Sequence, residues 1–354
     1  PVVAATTNAS ARAWFLWIPG KLSSAFPKGL LLHRRIAGIA ITAMERIYLD
    51  NAATTQLDPE VIEAMLPYMH EIYGNPSAVH AFGRKARAGI EQARRMVAKL
   101  LHCAPGEIVF TSCGTEADNM AILGAVRDLG VKHVITSPIE HHAVEHVAQE
   151  LERTKEAEVH WLRLMPDGKA DLAHLEELLK AHDHVLVSLM HANNELGSRN
   201  DLMAIGSLCR KYNALFHTDT VQTMGHYRFD LEQLPIDFLT CSAHKFHGPK
   251  GVGFLYMRNG AVVKPFIVGG AQERNMRAGT ENIIGIVALA KAMEVAYRDL
   301  DAHHAHVQAL KDRMREKVLA AIPGTTINGD PSADGLYTVL NFHFPDDGKA
   351  EMLI

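Results

Sequence analysis

The chain lacks most of the features that would place it in a class at a glance. It has four cysteines, Cys103, Cys113, Cys209 and Cys241, and no two of them stand in a C-x-x-C spacing. That scatter argues against a disulfide framework and for reduced thiols in a cytoplasmic setting. Neither sign of charge dominates, since 36 Lys and Arg face 40 Asp and Glu for a formal balance of −4. No nucleic-acid partner is therefore announced. Apolar runs long enough to cross a bilayer are missing, so no membrane partner is expected either. Internal repeats and low-complexity linkers are also missing. The 354 residues, 47% of them hydrophobic, suit a large domain with a smaller companion.

Residues 1–44 contain no Asp or Glu and five basic residues, Arg12, Lys21, Lys28, Arg34 and Arg35. An acid-poor basic leader fits an organelle transit peptide, but it shows no amphipathic period. The preferred reading takes Met44 as the start and 1–43 as a disordered or spurious extension.

From Glu45 onward the pattern is regular. Residues 46–50 give a short strand signal that runs into the polar turn Asn51–Thr55. Asp58-Pro59 opens a helix with apolar face Val61, Ile62, Met65, Leu66 and Met69, Asp serving as cap and Pro as first helical residue. A second helix is predicted from Arg84 to His102. Beyond Cys103, short apolar strands at 107–111, 132–136, 159–164, 185–190, 214–218, 236–240 and 251–256 alternate with helical segments. Such alternation predicts an α/β architecture with a mostly parallel sheet covered on both faces. Towards the end, Thr338–Phe344 alternates like a half-exposed strand, and His303, His304 and His306 read as a solvated helix face.

Ligands of such sheets sit beyond the carboxyl ends of the strands, and the polar motifs fall there. Thr111-Ser-Cys-Gly-Thr-Glu116 follows a strand and leads into a helix, so Gly114 and Thr115 offer free amides to a phosphate. His191-Ala-Asn-Asn-Glu195 and Thr218-Asp-Thr-Val-Gln222 end two further strands. Asp219 sits at a buried strand tip, where an unpaired charge is costly, and therefore needs a cationic partner. Lys245, in Ser242-Ala-His-Lys-Phe-His-Gly-Pro-Lys-Gly251, lies where an apolar strand gives way to a polar turn. Burial there disfavours the ammonium form and suits a Schiff-base lysine. A phosphate seat, a buried carboxylate and a lysine on successive strand ends together suggest pyridoxal 5'-phosphate, whose protonated ring stabilises a carbanion at an amino acid's α-carbon.

Residues 46–354 resemble the cysteine desulfurases, the class V branch of the fold-type-I pyridoxal-phosphate enzymes. The resemblance rests on Leu49-Asp-Asn-Ala-Ala-Thr-Thr55, Gly74-Asn-Pro-Ser77, Phe110–Glu116, Glu140-His141, Met190–Glu195, His217-Thr-Asp219, Ser242–Lys245, Gly248–Gly251 and Arg277-Ala-Gly-Thr280. It implies a large cofactor domain at 57–300, and a smaller α+β domain from 44–56 with 301–354. It implies that Lys245 holds the cofactor and shuttles protons, helped by His141 stacked on the ring. Asp219 would hold the ring nitrogen, Asn194 and Gln222 the phenolic oxygen, and Gly114, Thr115, Ser242 and His244 the phosphate. Thr280 would reach the phosphate of the neighbouring subunit in a homodimer. The implied reaction converts L-cysteine to L-alanine and passes the sulfur, as a cysteine persulfide, to an iron–sulfur scaffold or another thiol acceptor.

In that family the sulfur-accepting cysteine and a substrate-binding arginine lie further on, whereas this sequence stops at Ile354, just after Gly348-Lys-Ala-Glu-Met-Leu-Ile. None of the four cysteines occupies the nucleophile position; Cys113, nearest the phosphate seat, reads as a small buried residue in a tight turn, and Cys103, Cys209 and Cys241 read as packing. This sequence is thus expected to keep the cofactor site, to lack the persulfide-forming step and to be inactive as a desulfurase. Two alternatives stand beside this reading. One is another class V enzyme, an aminotransferase or selenocysteine lyase. The other is a zinc peptidase built on His142-Ala-Val-Glu-His146, which matches H-x-x-E-H. That pattern recurs by chance in a chain with 21 histidines and specifies no third ligand, so His142 and His146 are expected on a solvated helix face.

Overall fold

The computed structural model describes residues 47–330, 332 and 334–345. The leader 1–43 lies outside them, as do 346–354 at the end of the expected smaller domain. The helices begin where local chemistry allows. In α1 (Pro59–His70) the Asp58 carboxylate accepts the Glu60 N–H at 2.7 Å and Pro59 takes the first position, as the sequence predicts. The second helix, α2 (Ala81–Leu100), starts three residues before the predicted Arg84, because the His80 ring supplies a cap to the Gly83 N–H.

The chain then alternates through β1 (Ile108–Thr111), α3 (Gly114–Asp128), β2 (His133–Thr136), α4 (His142–Thr154), β3 (Glu158–Trp161), α5 (Leu172–Ala181), β4 (Val185–Ser188), α6 (Leu202–Lys211), β5 (Leu215–Asp219), β6 (Phe238–Ser242) and β7 (Gly253–Met257). The short α7 (Gln272–Asn275) and the long α8 (Ile283–Arg298) and α9 (Leu300–Ala321) follow, and then a ribbon of β8 (Thr326–Asn328) and β9 (Asn341–His343). The seven-stranded sheet has the order β1-β7-β6-β5-β4-β2-β3. All neighbours pair in parallel except β7, which runs antiparallel to both β1 and β6. That reversal follows from the direct return of the chain from β6 to β7 without a crossover helix, which only antiparallel neighbours permit.

Alternate residues of each strand feed two cores. Ile135, Val187, Phe216 and Leu239 pack with α2, α5, α6 and α8, while Val134, Leu186 and Phe238 pack with α3 and α4. With both faces dry, each such side chain contributes roughly 1.5–3 kcal/mol, and the strand tips remain the place where a ligand can enter.

Four expectations change. Residues 48–50 of the predicted strand are exposed and unpaired, because no neighbouring edge takes up their backbone. On α1 Val61 is buried, while Ile62, Leu66 and Met69 are exposed. His303 and His306 are exposed as expected and His304 is half-buried, but the His303 and His304 rings also pack against Tyr337, and the His303 Nδ1 lies 3.2 Å from its hydroxyl. The predicted strand at 338–344 shortens to Asn341–His343, the part that meets β8.

A buried ion pair that no motif announces ties α2 to α7. The Arg94 guanidinium meets Glu273 through bonds of 2.9 and 2.8 Å and also donates to the Ile108 carbonyl, while Glu273 accepts the Phe110 N–H at 2.9 Å. Both side chains are almost wholly buried. Removing one partner strands the other charge in a dry site, so Glu273→Ala should lower the unfolding free energy by about 3–5 kcal/mol, measured by urea denaturation.

Candidate active site

The carboxyl ends of β1, β4, β5 and β6 converge on a cavity of about 270 Å³. Gly114, Thr115, His141, Asn194, Asp219, Gln222, Ser242, His244 and Lys245 all line it, so nine of the sequence-predicted site residues share one space. Thr280 does not line this cavity. It is exposed and borders a separate hollow beside Arg277 and Gly279.

Lys245 ends a single 3₁₀ turn, Ala243–Lys245, directly after β6. Its Nζ donates to the carbonyls of Ala52 and Ala53, the latter at 3.0 Å. The Asn51–Thr55 turn therefore covers the lysine, and Thr55 locks it there through bonds to the His244 carbonyl and from the His247 N–H. Burial lowers the Lys245 pKa, although Asp219 and Asp50 work against the shift.

Asp219 closes β5 and is buried, with its Oδ1 accepting the Val221 N–H at 2.7 Å. Burial, reinforced by the nearby Asp118 charge, pushes its pKa up. Asp118 itself, on the first turns of α3, is driven up to about 8 by burial. Its Oδ1 lies 3.3 Å from the His217 Nε2 but in no hydrogen-bonding geometry with it. Glu140 is likewise raised to about 8 by burial, against bonds from the Met190 N–H and the Ser137 hydroxyl. The sequence reading gave neither Asp118 nor Glu140 a role. The four-residue spacing of Asp118 from Gly114, which puts the two on one helix face, is the signal that would have found the first.

At the other end of the cavity α3 begins without a side-chain cap, since Cys113 makes no capping bond. Its first amides are thus free to take an anion. Close packing requires glycine at position 114, because a Cβ there would come within 2.8 Å of a Val221 methyl. Burial works to raise the Glu116 pKa, but Arg277, at 2.9 Å, and Ser112 hold it below the usual range, and this pair fixes the start of the helix. Burial, then the charges of Lys245 and Lys250, push His244 down to about 4. His141 caps α4 through its Nδ1, and the two amides divide their work: Asn193 bonds backbone while Asn194 faces the cavity.

The model of the family described as aminotransferase class-V matches residues 47–353. The chain belongs to that family. This chain is 44% identical over 300 residues to a protein of Dictyoglomus turgidum named cysteine desulfurase IscS, a match covering 84% of the chain and 75% of the relative. Among solved structures it resembles a NifS-like protein with a TM-score of 0.78 at 39% identity, covering 82% of the chain and 80% of the other. It also resembles SspA in complex with cysteine, with a TM-score of 0.75 at 32% identity and 86% of each chain covered. Pyridoxal phosphate is the cofactor of such enzymes. The cavity fits it: an uncapped helix start for the phosphate, a buried carboxylate lacking a cation for the ring nitrogen, and a lysine amine for the aldehyde.

His142, Glu145 and His146 do come within ligand distance of one another, but both histidines are exposed on one turn of α4 and lie outside the Lys245 cavity. The family match leaves the zinc-peptidase alternative without support.

A carboxyl whose folded pKa is raised binds more protons in the folded than in the unfolded chain, so it costs stability as pH rises between the two values. For Asp118 that window runs from 3.8 to about 8. Asp118→Asn should match the parent below about pH 4 and gain on it by at least about 1.4 kcal/mol as pH rises to 8, read from urea denaturation of the cofactor-free chain across pH.

Proposed function

We propose that the chain is a pyridoxal-phosphate-dependent cysteine desulfurase that takes sulfur from L-cysteine and leaves L-alanine. The observation that carries this reading is the sharing of one cavity by Lys245, Asp219 and the uncapped start of α3, in a chain similar to proteins named for that reaction.

When bound, pyridoxal phosphate supplies an aldehyde for the substrate amine and a protonated ring that draws electrons from the α-carbon. Asp219 keeps the ring nitrogen protonated, and the opposite charge relieves its own buried carboxylate. Lys245 holds the cofactor and then carries the α-carbon proton, a task that its burial-lowered pKa suits. His141 supports the ring and assists the proton transfers. Asn194 and Gln222 address the phenolic oxygen, and Gly114, Thr115, Ser242 and His244 hold the phosphate. Cys103, Cys209 and Cys241 lie away from the cavity. Burial pushes all three thiols up, Cys103 to about 12, which makes them poor sulfur acceptors.

A thiolate attacking the substrate sulfur would take it as the outer sulfur of a persulfide, the C–S bond electrons staying on the carbon that is then protonated to alanine, and the persulfide would hand its sulfur to an acceptor protein such as an iron–sulfur scaffold. No helix of the described residues is long and apolar enough to cross a membrane, and four free cysteines support a cytoplasmic setting. The β8–β9 ribbon, separate from the main sheet, supports assigning 301–354 with 44–56 to a smaller domain beside a cofactor domain at 57–300. A homodimer, in which Thr280 serves the partner's phosphate, is supported by the exposed apolar side chains Ile62, Leu66, Met69, Tyr73 and Phe82 on and after α1.

Borohydride reduction of the cofactor-loaded chain followed by peptide mapping should place the pyridoxyl group on Lys245. A label confined to other lysines in the folded protein would refute the assignment. Exchange of the α-proton of L-cysteine with D₂O, followed by NMR, should slow by about 10²–10⁴-fold in Lys245→Ala. Sedimentation velocity should give a dimer for the parent chain and a monomer for Leu66→Glu, whereas a parent monomer rejects the role given to Thr280.

A further inference from the structure

At the end of the sheet where β2 and β3 begin, opposite the strand tips that carry Asp219 and Ser242, three histidines from three elements meet. His133 opens β2, His160 lies on β3 and His182 ends α5. The register sets His133 opposite Glu158, and residues two apart on a strand share a face. His133, Glu158 and His160 therefore emerge together, on the Ile135 side that packs with α5.

The ligand nitrogens of the three histidines all lie within 4.8 Å of one another, and the His133 Nδ1 is 3.1 Å from the His160 Nε2. The ring centroids are 5.3, 4.4 and 4.2 Å apart. A tetrahedral ion with bonds of about 2.0–2.1 Å sets its nitrogen ligands roughly 3.3 Å apart. The His133–His160 pair already has nearly that spacing, and small side-chain rotations bring in His182. The Glu158 carboxylate straddles the pair, 3.6 Å from the His133 Nδ1 and 3.9 Å from the His160 Nε2. All three histidines are half-buried.

We propose that His133, His160 and His182, with Glu158 as fourth ligand, bind one divalent ion of the zinc class. A closed set of four protein ligands marks a structural site, and here it would pin the end of α5 to the outermost strand of the sheet. The His142–His146 pair is the weaker candidate, because both histidines come from one exposed helix turn and no second element contributes to the cluster.

Zn²⁺ alone, titrated into the full chain against a chromophoric chelator, should fill one tight site. His160→Ala and His182→Ala should each weaken it by roughly tenfold or more, and His146→Ala should leave it unchanged. Co²⁺ in its place should give the visible spectrum of a tetrahedral ion, lost in both variants. Absence of a tight equivalent in the parent chain, unchanged affinity in both variants, or loss in His146→Ala instead would overturn the proposal. If His160→Ala misfolds by circular dichroism, His182→Ala and Glu158→Gln decide the matter.

Discussion

Three carboxyl groups are buried near one edge of the sheet: Asp219 at the tip of β5, Glu140 in the loop after β2 and Asp118 on α3. Burial raises all three, and their mutual repulsion adds to the shift of Asp219 and Glu140. Such a cluster is costly unless a cation joins it. Among the described residues, the one amine lining this cavity is Lys245, which is directed to the carbonyls of Ala52 and Ala53. A protonated pyridine ring beside Asp219, as proposed above, would bring a positive charge to this cluster. The burial of three unpaired carboxyls is a deficit in the stability of the folded chain at high pH, and a cation bound among them would be coupled to folding through it.

The fold makes the deficit tolerable by fixing everything around it. The parallel strands β2, β4, β5 and β6 end together, so side chains far apart in sequence share one edge. The reversal into β7 places Lys245 in the turn that must follow β6, and Thr55 stitches that turn to the Asn51–Thr55 segment. At the anion end, Arg277 grips Glu116 and holds the open start of α3 in place, while Gly114 allows it to approach Val221.

Much of this was legible in the sequence. The alternation of short apolar strands and amphipathic helices predicted the layered sheet, because buried strands and surface helices leave different periods. The polar motifs predicted the cavity, because turns after buried strands can only gather at the sheet's edge. What escaped was decided by partners distant in the chain. Tyr48–Asp50 has the composition of a strand but no edge to pair with. Ile62, Leu66 and Met69 have helical spacing but no core beneath them. Arg94 and Glu273 read as ordinary surface charges until packing buries them together.

The sequence by itself determined the identities and local setting of the candidate site residues: a lysine after an apolar strand, a carboxylate at a strand tip and a glycine turn before a helix. These depend on neighbours within a few residues, where propensity and capping act. Only the tertiary structure decided which charges are paired, which are left unpaired in the dry interior, and that His133, His160 and His182 meet at all. Those outcomes depend on strand order and register, which bring together residues that share no local signal.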